Sequence, residues 1–268
     1  MGLTLLLRML LKRPRPAAQG EPGVLTSSFV IDSPARRALE AYNAALGFAR
    51  DALPLTWWYL PVQRAHMVTM LEPAFPYRIA GVVHVENALV QHVPVPGGPL
   101  VLDTRIEILP PTTSGAVLCR LESAVKVQGR TCVTCTSTYL VVRGRRAGDR
   151  IRPEAPAPGR EIGRWTLAPS AGRDYARVSG DWNPIHLAGW SARLMGLRAP
   201  IIHGMHSLGR ACALLERDAG MPATAISVRF RAPVALGQTV VLTADGEGGR
   251  YALHAGGVLA ADGTVAFG

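Results

Sequence analysis

The sequence predicts an α+β chain made of two similar halves. Each half is expected to be an antiparallel sheet wrapped round a central helix, and the two together to form a pseudo-dimer within one chain. Three observations carry this expectation. A helix-like stretch followed by alternating strands occurs twice, the two copies keep the same spacing, and a segment rich in Gly, Pro and Arg lies between them.

In the first half, Pro61 to Glu72 has apolar residues at Val62, Ala65, Met67, Met70 and Leu71, a helical pattern that Pro73 and Pro76 should end. Strands follow at Gly81 to Val93, Leu100 to Leu109, Ala116 to Val127 and Thr131 to Val142. In the second half, the helix is His203 to Glu216. Met205, Leu208, Cys212 and Leu215 recur at spacings of three and four, and Ala211 and Leu214 widen the face. Its strands are Ala223 to Ala232, Gln238 to Ala244, Arg250 to Ala255 and Gly257 to Ala260. In both halves 20 residues separate the helix start from the first strand. The phrases VPGGPLVLDTRIEIL and VALGQTVVLTADGE share a turn-then-strand pattern. Residues 144–160 read as a linker, giving halves at 1–143 and 161–268.

Composition narrows the classes. The chain has 268 residues, 48% of them hydrophobic, which excludes disorder and allows a proper core. Four cysteines at irregular spacing are too few for a disulfide scaffold, so a reducing, cytoplasmic setting is expected. The net charge of +10 comes almost wholly from scattered arginines, with lysine only at positions 12 and 126. Without a helix-turn-helix, zinc-finger or ribonucleoprotein pattern, that bias points to codon composition rather than to nucleic acid. It still suits an anionic partner. Met1 to Leu11 is apolar with its basic residues after it, the reverse of a signal peptide, and is too short for a membrane span. A frayed helix on the domain is expected there.

The run SAGRDYARVSGDWNPIHLAGWSARLMGLRAPIIHGMHSLGR, residues 170–210, carries the chemistry. Ser170 is placed to cap a short helix through Arg177. Gly180-Asp181-Trp182-Asn183-Pro184 reads as a tight turn, with Pro184 pushing Asn183 out of the helical region. Asp181 and His186 then stand at the two ends of a stiffened loop, where their side chains can converge. Gly204 opens the next helix and leaves its backbone N–H open to a ligand. An acid/base pair beside a helix N-terminus suits proton transfer next to a carbonyl that gains negative charge.

Other motifs read more plainly. His203 and His206 supply only two metal ligands at most, so no metal is expected. Cys132-x-x-Cys135 falls in an alternating strand, where residues three apart face opposite sides, and reads as packing. His84 and Asn87 likewise read as strand packing. Neither a G-x-G-x-x-G nor a P-loop is present, so neither a nicotinamide cofactor nor a nucleoside triphosphate is indicated.

Tyr175-Ala176, Ser179-Gly180-Asp181, Asn183-Pro184-Ile185-His186 and Pro200-Ile201-Ile202-His203-Gly204-Met205 resemble the signature of the MaoC-like (R)-specific enoyl-thioester hydratases and 3-hydroxyacyl-thioester dehydratases. A weaker likeness extends over both halves to the tandem, or double hot-dog, members. The resemblance implies that Asp181 and His186 are the catalytic pair, which binds the water added to or removed from C2–C3 of an acyl thioester. It implies that Gly204 N–H binds the thioester carbonyl, that Asn183 shapes the loop and contributes to substrate binding, and that no cofactor is needed. The carrier would be coenzyme A or an acyl carrier protein, and two chains could pair as a homodimer. The first half would be non-catalytic and make room for a longer acyl tail, in a slot lined from Val62, Met67, Met70 and Phe75. Family members often carry a hydroxyl on the central helix that supports the aspartate; an ungapped count puts Cys212 there, a weaker donor. Hot-dog folds also host thioester hydrolases and non-catalytic acyl binders, the competing functions.

Overall fold

A computed structural model of the chain describes residues 3–15, 23–144, 159–245 and 249–268. The elements in chain order are α1 (Leu3–Leu11), β1 (Gly23–Ile31), α2 (Arg36–Leu46), α3 (Tyr59–Leu71), β2 (Val83–Gln91), β3 (Leu100–Ile108), β4 (Val117–Val127), β5 (Arg130–Val142), β6 (Arg160–Thr166), α4 (Ala171–Ser179), α5 (Gly189–Leu194), α6 (Gly204–Ala219), β7 (Ala223–Phe230), β8 (Thr239–Ala244), β9 (Arg250–Ala255) and β10 (Val258–Phe267). The predicted linker lies mostly outside the described residues. Among the described residues no helix is long and apolar enough to cross a membrane.

The chain divides into two compact units, Gly2–Ser33 with Tyr59–Glu154 and Pro34–Trp58 with Ala155–Gly268. In the first, five antiparallel strands lie in the order β1-β3-β4-β5-β2. In the second, the order is β6-β8-β9-β10-β7, which repeats the first strand for strand. The hairpin turns agree as well. Gln128-Gly129 and Gly256-Gly257 both have positive φ at their two central residues, as two-residue turns between right-twisted strands require. Each unit is a hot-dog: α3 packs on β1 and β3, and α6 packs on β6, β7 and β10. The duplication read in the sequence is a property of the fold.

In the first unit α3 buries Val62, Ala65, Met67 and Met70, and with them the polar His66 and Thr69. Thr69 Oγ1 donates to Ala65 O at 2.9 Å, and one nitrogen of His66 is paired. His66 Nε2 lies 3.0 Å from Ser123 Oγ, which is 2.9 Å from Thr104 Oγ1. Val62, Met67, Met70 and Phe75, expected to line an acyl slot, are all buried in this core. Helix α1 lies on α3, as expected. Cys132 and Cys135 are both buried, and Cys135 Sγ accepts from Asn87 Nδ2 at 3.3 Å, so these cysteines pack the sheet.

The second unit includes α2, which sequence pattern did not reveal. Its buried face is Tyr42, Asn43 and Leu46, and it ends at Gly47 in the left-handed region. It packs on α4 and α6. Gly209 of α6 allows this contact, since a Cβ there would fall 2.6 Å from Leu46 Cδ1. Two arginines of α6 cap the end of α2: Arg210 donates to Leu46 O at 3.1 Å and Arg217 to Gly47 O at 3.0 Å. Cations there complement the helix dipole. Two expectations are corrected. Ser170 makes no side-chain cap, because its backbone is already helical (φ −87°, ψ −12°); its carbonyl accepts from Asp174 N instead. Strand β10 runs on to Phe267 rather than stopping at Ala260. Asp262-Gly263 looks like a turn, but Gly263 sits where Ser227 O would be 1.9 Å from any Cβ, so the glycine serves strand contact.

Asn43 holds the chain after α2, its Nδ2 donating to Ala49 O, Arg50 O and Ala52 O at 2.7–3.1 Å. Asn43→Ala leaves those carbonyls unpaired and should cost about 2 kcal/mol. Urea unfolding of wild type and variant, compared at one pH, measures the loss.

Candidate active site

The loop that carries Asp181 and His186 is built from local bonds at a spacing of two. Asp181 N donates to Ser179 Oγ (3.1 Å), Asn183 N to Asp181 Oδ1 (3.1 Å) and Ile185 N to Asn183 Oδ1 (3.3 Å). Short polar side chains that accept from the backbone two residues on replace a regular ladder here. Gly180, in the left-handed region, ends α4 and starts this run. Pro184 then opens a single 3₁₀ turn, Pro184–His186. Ser191 Oγ donates to Pro184 O at 2.7 Å and fastens α5 to the loop. Gly172 of α4 passes so close that a Cβ would lie 1.9 Å from His186 O.

This geometry brings Asp181, His186 and His203 together, each offering a side-chain ligand atom within 4.8 Å of the others. His186 and His203 are buried and Asp181 half-buried. The carbonyls around the rings fix their tautomers, since a carbonyl only accepts. His186 Nδ1–H donates to Ile201 O at 2.8 Å, leaving Nε2 as a lone-pair base. His203 Nε2–H donates to Asp181 O at 3.0 Å, leaving Nδ1 buried with no hydrogen-bond partner. Burial pushes the pKa of His186 down, while the Asp181 charge and the Ile201 carbonyl push it up. Burial, aided by the neighbouring His186 and opposed by Asp181, takes His203 down to about 3. His206 is held at about 4 by burial and by Arg210.

One carboxylate and two imidazoles make a familiar metal-ligand set, but the rings argue against it. They are stacked, with centroids 3.6 Å apart and planes 27° apart. Imidazole lone pairs lie in the ring plane, so stacked rings do not converge on one ion at the roughly 2.0 Å that bonding needs.

Gly204 is the first residue of α6, and its N–H has no acceptor among the described residues. The sequence foresaw the open donor but not the neighbour. Phe230 lies against the glycine, and a Cβ there would be 2.7 Å from its ring. Asn183 sits inside the loop as its second link. Cys212 does not support Asp181. It is fully buried, and its Sγ donates to Glu216 Oε1 at 3.6 Å, an oxygen that also accepts from Ala223 N. His203 of the Pro200–Met205 element joins Asp181 and His186 here, a juxtaposition that spacing along the sequence did not show.

Buried neutral histidines have a measurable consequence. An unfolded histidine titrates near 6.5, while His203 and His206 do so at about 3 and about 4. Their contribution is complete above pH 6.5 and is lost as pH falls below it, because only the unfolded chain then takes up protons. The loss is about 1.4 kcal/mol per histidine per pH unit. Urea melts at pH 7.5 and 5.5 should show the second unit less stable at the lower pH by about 3 kcal/mol.

The MaoC like domain profile matches residues 154–254. The chain is 31% identical over 219 residues to 3-hydroxyacyl-thioester dehydratase X of Mycobacterium tuberculosis, covering 78% of this chain and 76% of that protein. It is 32% identical over 209 residues to peroxisomal multifunctional enzyme type 2 of Drosophila melanogaster, covering 70% of this chain but only 34% of that larger protein. Among solved structures, HtdX of Mycobacterium tuberculosis superposes with a TM-score of 0.74 at 27% identity, covering 89% of this chain and 99% of that one.

Proposed function

The chain belongs to the MaoC-like hydratase and dehydratase family, and on that premise we propose that it is an (R)-specific hydro-lyase. Its substrate is a 2-enoyl or (R)-3-hydroxyacyl thioester carried by coenzyme A or an acyl carrier protein, and it uses no further cofactor. The observation that carries this reading is the convergence of the Asp181 carboxylate with His186 beside the open Gly204 N–H. The Mycobacterium tuberculosis relative supports it, being a 3-hydroxyacyl-thioester dehydratase by name.

In the hydration direction, Asp181 and His186 Nε2 hold one water between them. The water oxygen bonds to C3 while one of its protons passes to the pair. C2 takes up a proton from the pair, which ends as it began. Electron density pushed from the C2–C3 double bond onto the thioester oxygen meets the Gly204 N–H and the positive end of α6, sixteen residues long. Dehydration is the same path reversed. The first half lacks a D-x-N-P-x-H element and is proposed to be non-catalytic, which gives one site per chain.

Asp181→Asn and His186→Ala should each lower turnover by about two to four orders of magnitude, the usual contribution of acid–base groups. The assay is loss of the enoyl absorbance of 2-enoyl-CoA thioesters without release of free thiol, with product configuration determined by chiral chromatography. Free thiol appearing in step with substrate loss would identify a thioester hydrolase instead.

A further inference from the structure

His203 lies outside the D-x-N-P-x-H element and takes no part in the proton transfers described above. Its ring stands on that of His186, and its Nε2–H holds the backbone of Asp181. In return, His186 Nδ1–H holds the backbone of Ile201, two residues before His203. The main chain adds a third tie, Ile201 N to Ile185 O at 3.2 Å. Two segments are thus cross-laced, each imidazole bonding to the backbone of the segment that carries the other. Tyr175 backs His203 at 4.9 Å between centroids, and His206 meets Tyr175 at 5.4 Å. The charged and titratable groups around the stack are therefore Asp181, Tyr175 and His206, with Arg210 acting on His206. A residue that only filled the core would need neither a flat face toward His186 nor a donor aimed at Asp181.

We propose that His203 is a positioning residue of the catalytic pair: its face sets the plane of the His186 imidazole, and its Nε2–H fixes the Asp181 backbone. The carboxylate and His186 Nε2 then address the same water. This role rests on the hydro-lyase reading of the site.

Two substitutions separate the face from the donor. His203→Phe keeps the flat ring and removes the donor. For hydration of trans-2-octenoyl-CoA, kcat should fall about 10- to 100-fold while KM stays within about threefold, and the acid limb of the pH profile should not move. His203→Gln keeps an amide donor and removes the ring, so His186 becomes more open to water. A smaller loss of kcat is expected, with the acid limb moved up toward about 6.5. A merely structural role would lower thermal stability and leave kcat, KM and the pH profile of the folded fraction unchanged. That result would overturn the proposal.

Imidazole ¹⁵N NMR tests the lacing without turnover. In the wild type, His203 should stay neutral with the proton on Nε2 between about pH 5 and pH 8, and in His203→Gln the His186 titration should move upward. A proton on Nδ1 of His203, or its protonation near neutrality, would sink the idea. This readout stands even if the Phe variant does not fold. It also stands if enoyl thioesters prove not to be turned over, which would count against the hydro-lyase reading alone.

Discussion

Two uncharged, buried imidazoles stacked on each other are the constraint around which the second unit is organised. A buried ring N–H needs an acceptor, and a charged imidazole would cost far more than a neutral one. Both needs are met by main-chain carbonyls that are not consumed by helix or sheet. Ile201 lies in the short stretch before α6, and Asp181 in the loop after α4. Neither segment could therefore be regular secondary structure at that point, because regular structure would have used those carbonyls. The left-handed Gly180, the chain of side-chain-to-backbone bonds and the single 3₁₀ turn are the means of staying irregular while remaining fixed.

The helices behind the loops serve the same end. Helix α2 packs on α4, which leads into the catalytic loop, and on α6, whose N-terminus faces it. Arg210 and Arg217 bind α6 to the end of α2, and Gly209 lets the helices approach. Strain or slack in α2 would thus reach both sides of the site. The first unit keeps the same strand order and hairpin turns, and its central helix carries a buried hydrogen-bonded chain, His66 to Ser123 to Thr104, where the second unit has the loop of Asp181 and His186 nearby. Both units keep one topology while the D-x-N-P-x-H element lies in the second, as expected when a fold is a scaffold for locally built features.

Legibility in the sequence followed the range of the interactions. The meanders were readable because alternation is a local signal, and Leu100–Ile108 buries every second residue. Strand β1 escaped because Thr-Ser-Ser interrupts its apolar run, and β6 because most of its residues face outward. Helix α2 is mostly alanine and arginine, and the arginines that cap it lie 164 and 170 residues further along the chain. The same rule divides the site. Asp181 and Asn183 were readable as a turn because their bonds span two residues and require those residue types. The bonds of His186 and His203 were not, since they reach 15 and 22 residues along the chain to main-chain carbonyls that any residue supplies. The cysteine at 212 misled for a related reason: position on a helix was counted, but the direction of its side chain was set by Glu216.

On the proposed hydro-lyase reading, the balance of forces on His186 suits reversible water transfer. Burial is the largest influence and keeps the ring unprotonated near neutrality, so Nε2 is available to accept a proton. Burial alone would also make the ring a poor base. Asp181 and the Ile201 carbonyl oppose it, restoring basicity without restoring bulk solvent. A proton taken from water is therefore held close to the carboxylate, in a pocket where the stacked His203, itself reluctant to protonate, offers it no second resting place. In the proposed reaction the proton would stay with the pair until carbon or oxygen reclaimed it, so that one Asp–His pair would serve as base in one direction and acid in the other.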